Sequence, residues 1–145
     1  MTASKYERYF TPLPLDHGGG GEAVGRFVGS THFEGAPFYF VWHPIPVLKE
    51  PYVMIKSAHH HDFDQYLGFF GSDFTDIENL GKDVEIELYL GEEGEKFIID
   101  RPQMVHIAKG LTHGPLVFKT INTPVMLVDI VMAPEYKRTS SLPEK

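Results

Sequence analysis

The sequence contains no cysteine. This absence excludes disulfide bonds, thiolate metal sites and cysteine nucleophiles. No apolar run approaches the ~20 residues that a membrane-spanning helix needs, and the first residues lack the apolar stretch of a secretory signal. We therefore expect a cytoplasmic protein that does not interact with a membrane.

Basic residues are outnumbered by acidic ones: 13 lysines and arginines stand against 20 aspartates and glutamates, for a formal net charge of −7. An acidic chain without a basic stretch or a helix-turn-helix pattern is a poor partner for nucleic acids and anionic membranes. Hydrophobic residues make up 42% of the 145 residues, which suits the core of one domain of ordinary size. The expected partner is a small-molecule substrate or ligand.

No ten-residue stretch of the sequence carries a helical stripe of apolar residues. Instead, 14 glycines and 11 prolines separate short segments of β-type residues, among them 37–42 and 125–132. Residues 84–90 alternate between apolar and mostly charged side chains, which predicts a strand with one face in water. A hairpin turn is predicted at residues 91–96. Many short strands with regular turns indicate an all-β sandwich or barrel.

The chain divides into three predicted parts. Residues 1–23 form an extended N-terminal arm, since Pro12 and Pro14 interrupt any helix and so short a segment cannot build its own core. Residues 24–133 form the barrel, and the polar residues 134–145 form a flexible C-terminal tail. We expect the arm to lie across a sheet of this chain or of a neighbour, and the protein to be a homodimer.

The most informative stretch places His59, His60 and His61 side by side, with Gln65 shortly after them. Side chains alternate in direction along an extended chain, so His59 and His61 share one face and His60 points away. Gln65 has the same parity if the strand stays regular, whereas His113 can join them only through a folded sheet. The predicted ligands of one divalent metal ion are His59, His61, Gln65 and His113.

Other polar residues have weaker claims to a role in this site. Lys56 and Tyr66 are candidates for acid–base or substrate-charge roles, although residues of both types are more often solvated at the surface. His43 and His106 lie on predicted strands, where a histidine is more often hydrogen-bonded than bound to a metal. A histidine cluster can itself be a solvated loop, and the distant His113 is the observation that argues against this alternative.

These residues resemble the two motifs of the cupin family, roughly G-x5-H-x-H-x(3,4)-E-x6-G and G-x5-P-x-G-x2-H-x3-N. His59-x-His61-x3-Gln65 lies on the first motif and Gly110-x2-His113 on the second. Gln65 replaces the glutamate of the family. The remaining departures fall on structural positions of the motifs, namely Val53, Gly71, Pro102, Ala108 and Val117. The resemblance implies a cupin-type jelly-roll β-barrel with a metal site inside it.

The glutamine has a chemical consequence. Three neutral imidazoles and a neutral amide leave a divalent ion its full charge, which strengthens it as a Lewis acid. Cupins with glutamine at this position include sugar-acid ring-opening proteins and some hydroxynitrile lyases, so the resemblance implies isomerase, ring-opening or lyase chemistry on a small polar oxygenated substrate. A metal-dependent dioxygenase and a non-catalytic ligand-binding cupin are the alternatives. The donor set admits Mn, Fe, Ni or Zn.

Overall fold

The computed structural model describes residues 4–18, 22–134 and 139–140. Within these ranges the regular secondary structure is almost entirely strand, apart from a 3-10 turn at Glu7–Tyr9 and one helical turn, α1, at Gly29–His32. The strands are β1 (Leu15–His17), β2 (Ala23–Val28), β3 (Tyr39–Ile45), β4 (Tyr52–Ile55), β5 (His59–His60), β6 (Gln65–Gly71), β7 (Glu85–Leu90), β8 (Glu95–Ile99), β9 (Gln103–Ile107), β10 (His113–Thr120), β11 (Val125–Val131) and β12 (Thr139–Ser140). The predicted all-β class is confirmed. In the described part of the chain, no helix is long and apolar enough to cross a membrane.

The strands form two antiparallel sheets. Sheet A has the strand order β1-β2-β3-β11-β6-β9. Sheet B has the order β12-β5-β10-β7-β8, and β4 pairs with β10 beside β5. In sheet A, β11 lies between β3 and β6, so strands far apart in sequence are neighbours, as in a jelly roll. The jelly-roll architecture is thus the observed one.

The inner faces of the two sheets meet in an apolar core. Phe69 of sheet A and Phe118 of sheet B are fully buried, and their ring centroids are 6.4 Å apart. The inward residues of β6 run from Gln65 through Leu67 to Phe69, because side chains alternate along a strand. The core therefore fills the barrel at the Phe69 end of β6, and Gln65 lies at the other end.

The last residues of the predicted arm form β1, at the edge of sheet A. Leu15 pairs with Gly25 of β2. Leu13 lies over the same glycine, where an added Cβ would come within 2.5 Å of the leucine Cδ1. The arm therefore pairs with a sheet of its own chain, and Gly25 provides the room for Leu13.

The barrel bounds of 24–133 stay a prediction; strand β2 begins at Ala23 and strand β11 ends at Val131. The backbone of β12, within the predicted tail, pairs with β5. Flexibility of the tail stays a prediction, because most of it lies outside the described residues. The parts of the predicted arm and tail outside the description are 1–3, 19–21, 135–138 and 141–145.

Candidate metal centre

Three imidazoles meet where β5 runs beside the start of β10. His59 pairs directly with His113 across the two strands, and His61 follows His59 at the same parity. The ring centroids are 4.4 Å apart for His59 and His113, 4.8 Å for His59 and His61, and 4.9 Å for His61 and His113. One nitrogen from each ring lies within 4.8 Å of the other two. The structure thus brings these three predicted ligands together.

Burial and hydrogen bonds determine the orientation of these rings. His59 is 0% exposed, His61 is 2% exposed and His113 is 1% exposed. Nδ1 of His113 donates to the carbonyl oxygen of Leu111 at 2.9 Å, and Nδ1 of His59 donates to that of Ser57 at 3.2 Å. Because Nδ1 carries the proton in both rings, Nε2 is the unprotonated nitrogen, which is the form that binds a metal.

The interior also keeps His113 neutral. Burial lowers the pKa of its imidazole to about 4; the nearby rings of His59 and His60 lower it further, and the hydrogen bond to Leu111 opposes them. A metal ligand must be the neutral imidazole. His113 is therefore ready to bind an ion across the whole physiological pH range.

Gln65 supplies the oxygen donor of the predicted set. Its side chain is 3% exposed, and its Nε2 donates to Oδ1 of Asp129 at 2.8 Å. This bond leaves Oε1 as the free end of the amide. In the described residues, two buried side-chain polar atoms have no hydrogen-bond partner: Gln65 Oε1 and His113 Nε2. Buried acceptors without a donor are costly, and a divalent cation would satisfy both, so the residues present fit a metal ion.

A cavity of about 330 Å³ adjoins this site. Asp129 lines it and also accepts the hydrogen bond of Gln65, so the cavity and the predicted ligand set share one wall. The other polar groups of the lining include Arg26, Tyr39 and His43. Its apolar side chains are Val41, Met54, Ile55 and Leu127. The volume is that of a site for a small molecule.

The polar groups of the cavity are tied to one another. A guanidinium nitrogen of Arg26 donates to the hydroxyl of Tyr39, and burial raises the pKa of that tyrosine. Burial likewise raises the pKa of Asp129 to about 6, against the lowering effects of the Gln65 hydrogen bond and of Arg26. His43 pairs with Glu22 at 2.7 Å. The cavity thus holds the guanidinium of Arg26, which also pairs with Asp16 at 3.1 Å, and a buried carboxyl group with a raised pKa.

Solved structures with the same architecture come from several proteins. The polyketide cyclase RemF from Streptomyces resistomycificus is 10% identical, with a TM-score of 0.52 over 85% of this chain and 72% of the cyclase. Oxalate decarboxylase from Lactobacillus farciminis, in a formate complex, is 13% identical, with a TM-score of 0.55 over 89% of this chain and 33% of that one. AerE from Microcystis aeruginosa is 12% identical, with a TM-score of 0.52 over 83% and 45%. These neighbours are cupin-fold proteins.

The chain has a cupin fold. At identities of 10–13% the likeness concerns the fold alone. The chain spans only about a third of the length of the oxalate decarboxylase. No protein-family model matches the sequence, and no curated protein matches it either.

Two loops hold the His61 and His113 segments together. The backbone N–H of Gly110 donates to the carbonyl oxygen of His61 at 2.9 Å. Asp64 Oδ1 accepts from His106 Nε2 at 2.9 Å and from the Lys109 backbone N–H at 3.1 Å. Both bonds lower the pKa of Asp64, that of His106 the more. The loop before β10 is therefore docked on the segment between β5 and β6, which carries His61 and Asp64.

Gly114 permits the close approach of the two histidine strands. Its φ is +105°, a conformation that favours glycine. A Cβ at this position would lie 2.8 Å from the carbonyl oxygen of Ser57, the same oxygen that holds His59 Nδ1. The residue after His113 thus shapes the surroundings of His59.

The two weak catalytic candidates, Lys56 and Tyr66, lie outside the three-histidine cluster. Lys56 is exposed in the loop between β4 and β5. Tyr66 has the opposite parity to Gln65 and stacks on His106 on the outside of sheet A, with ring centroids 4.7 Å apart. Tyr66 therefore lies on the opposite face of sheet A from Gln65, and a catalytic role for Lys56 or Tyr66 stays a prediction.

Sequence reasoning missed the polar groups of the cavity. Asp129 stands alone among apolar residues in β11, and Arg26 does so in β2. A single charge at an inward position of an apolar strand is the signal that could have identified them. His43 carries the same signal on β3, where it is buried beside Glu22.

Proposed function

We propose that this cupin binds one divalent metal ion and uses it as a Lewis acid on a small polar oxygenated substrate. The proposed ligands are His59, His61, His113 and Gln65. The observation that carries the proposal is the pair of buried, unpartnered acceptors beside a three-histidine cluster, Gln65 Oε1 and His113 Nε2. The ion would polarise a carbonyl or hydroxyl oxygen of the substrate.

Residues of the cavity would bind the charge of the substrate and transfer the proton that the proposed reaction requires. Arg26 lines the cavity with its Nε paired to Asp16 at 3.1 Å, and we expect its guanidinium to hold an acidic group of the substrate as well. The Tyr39 hydroxyl lines the same cavity and accepts a hydrogen bond from Arg26. The Asp129 carboxyl, with its pKa at about 6, is the group suited to take and return a proton in an isomerisation, ring opening or elimination.

The neighbours support metal chemistry on acids without deciding the reaction. Oxalate decarboxylase of Bacillus subtilis has Mn(II) centres, and manganese is one of the ions that nitrogen and oxygen donors accept. For this chain the ion stays open among Mn, Fe, Ni and Zn. A dioxygenase remains the second candidate, because an imidazole-rich site also suits iron and nickel.

Metal-stripped protein reloaded with one ion at a time tests the proposal. Small hydroxy, keto and cyclic sugar acids serve as substrates, and NMR follows their conversion. We expect turnover with at least one ion, none after chelation, and a raised KM with little change in kcat for Arg26→Met. The matched control is Arg101→Met, at an exposed arginine. Turnover that survives chelation would contradict the proposal.

Two further outcomes separate the alternatives. A dioxygenase would consume oxygen with the substrate, and Gln65→Glu would raise that activity because a carboxylate stabilises a more oxidised metal. A non-catalytic binding protein would be stabilised thermally by a ligand and would form no product. Either result would replace the Lewis-acid reaction and keep the metal centre.

A further inference from the structure

The outward face of sheet A carries apolar side chains across all six strands. Directly paired residues of neighbouring strands lie on the same face of a sheet. One such row runs from edge to edge of the sheet, through Leu15, Gly25, Trp42, Val128, Gly68 and Met104. None of the outward residues of β2, β3, β11, β6 and β9 is an aspartate, glutamate, lysine or arginine. We call this surface the outer A face.

The outward face of sheet B has the opposite character. Lys119 pairs with Glu85 at 3.2 Å and with Glu87 at 3.3 Å. An antiparallel sheet with one face in water alternates apolar and polar side chains, as β7 of sheet B does. In β11, by contrast, Met126, Val128 and Ile130 point outward and are all apolar. Strand β11 therefore has the composition of a strand that is covered on both sides.

The outer A face is nevertheless accessible in the single chain. Trp42 is 43% exposed and Met104 is 51% exposed. A groove of about 350 Å³ runs along the face between Trp42, Phe70 and Phe74. Continuous exposed apolar surface of this kind marks an interaction site.

We propose that the outer A face is the interface between two copies of this chain, packed sheet to sheet about a two-fold axis. Charge favours a second copy over other occupants. Each chain carries a net charge of −7, and two such chains repel wherever their carboxylates meet. The strand residues of the outer A face include no carboxylates, and the ion pair at its edge, His106 with Asp64 at 2.9 Å, is closed within the chain.

The size of the face is compatible with a stable dimer. Six strands about 4.8 Å apart and several residues long give roughly 500 Å² of sheet per copy, whereas a standard interface buries about 800 Å² per partner. The remainder can come from surface that continues the face at both ends. Leu13 and Leu15 of the arm extend it at one end, and Phe74 extends it at the other.

Trp42 provides a built-in probe, because it is the only tryptophan of the chain. Sedimentation velocity and tryptophan emission are measured over a range of concentrations. We expect wild-type protein to sediment with twice the mass of the chain. Its emission should shift to shorter wavelength as the dimer forms, because Trp42 leaves water.

Two variants keep this probe and place a charge in the interface. Val128→Glu lies at the centre of the face, and Met104→Glu lies on the edge strand β9, where a charge is tolerated by the fold. We expect both to weaken dimerisation, by roughly 100-fold for Val128→Glu. The matched control is Ile98→Glu on β8, the edge strand of sheet B, where Ile98 is 43% exposed; it should leave the dimer intact.

The outcomes that overturn the proposal are equally specific. Wild-type protein that stays monomeric up to its solubility limit would exclude a second copy. A monomer whose Trp42 emission shifts on addition of phosphatidylcholine vesicles would assign the face to a lipid surface instead. Dissociation by Ile98→Glu but not by Met104→Glu would place the interface on sheet B. None of these results depends on the metal centre.

Discussion

The two faces of sheet A have exchanged the usual distribution of polarity. The inward face carries Gln65, Asp129 and Arg26 beside the cavity, and the outward face carries Trp42 and Val128 in an apolar row. In a barrel that is stabilised only by its interior, the charges would lie outside. The difference teaches that the two faces carry different kinds of residue, which is what the two proposals require: a chemical site inside this sheet and contact with a second copy outside it.

The same comparison explains where the stability of the chain resides. The apolar core lies at the Phe69 and Phe118 end of the barrel, whereas the end with Gln65 holds groups that prefer water. Residues at functional sites commonly make the protein less stable than other residues would at the same positions. The following changes test the contrast between inside and outside, beginning with the largest expected effect.

Removal of an inward imidazole should destroy metal binding, whereas removal of its outward neighbour should not. We expect His61→Ala to raise the metal dissociation constant by roughly 100-fold or more, since the loss of a direct ligand exceeds the effect of losing an outer contact. His60→Ala is the matched control on the same stretch of chain and should bind like wild type. Calorimetric titration of metal-stripped protein measures both constants. Equal losses of metal affinity in the two variants would contradict the assignment of His61 to the inside and His60 to the outside.

The inward site should also depend on the close approach of its two strands. Gly114→Ala adds a Cβ that meets the Ser57 carbonyl oxygen and places alanine at a positive φ. We expect a loss of about 3 kcal/mol in the free energy of unfolding. Gly110→Ala also has a positive φ but meets no atom within 4 Å, so its loss should be about 1 kcal/mol. Urea unfolding compares them, and equal losses would show that the contact with Ser57 is unimportant.

Replacing the polar pair of the inward face should spare stability and abolish binding. In metal-free protein, the double variant Gln65→Leu with Asp129→Leu should be as stable as wild type or more stable by up to about 2 kcal/mol. Asp129→Leu alone should be less stable than the double variant, because it leaves the Gln65 amide N–H groups without their acceptor. Urea unfolding measures both. A double variant less stable than either single variant would show that the polar pair stabilises the barrel.

The smallest expected effect concerns Glu87, on the outward face of sheet B. The pKa of Glu87 lies below its ordinary value of 4.5. The hydrogen bond from the Tyr89 hydroxyl lowers it most, burial opposes this effect, and Lys119 lowers it further. A lowered pKa in the folded state stabilises the protein above the unfolded pKa, and this contribution is lost as the pH falls through the folded value. At pH 7 the free energy of unfolding of wild type should exceed that of Glu87→Gln by about 1 kcal/mol or less. The difference should shrink below about pH 4.5 in thermal unfolding, and a pH-independent difference would contradict this assignment.

Local periodicity was sufficient for much of the fold and for the histidines. The alternation of residues 84–90 predicted the strand observed as β7. The shared parity of His59 and His61, with His60 opposite, is what the structure shows. These features depend on neighbouring residues, where side-chain direction follows directly from the geometry of a strand.

The cavity could not be predicted in the same way. Asp129 reaches Gln65 from 64 residues away, through a strand order that places β11 between β3 and β6. Register between distant strands decides which charges face inward, and one sequence does not fix it. Tyr66 is a different case, because local parity alone puts the neighbour of Gln65 on the opposite face of the sheet.

Anomalous diffraction from crystals of the metal-loaded protein tests the central claim most directly. The account predicts one peak per chain inside the barrel, about 2.0–2.3 Å from Nε2 of each of the three clustered imidazoles and from Oε1 of Gln65. A peak that is bound by solvent-facing histidines, or an interior that stays without a peak in the presence of excess manganese, iron, nickel and zinc, would contradict it.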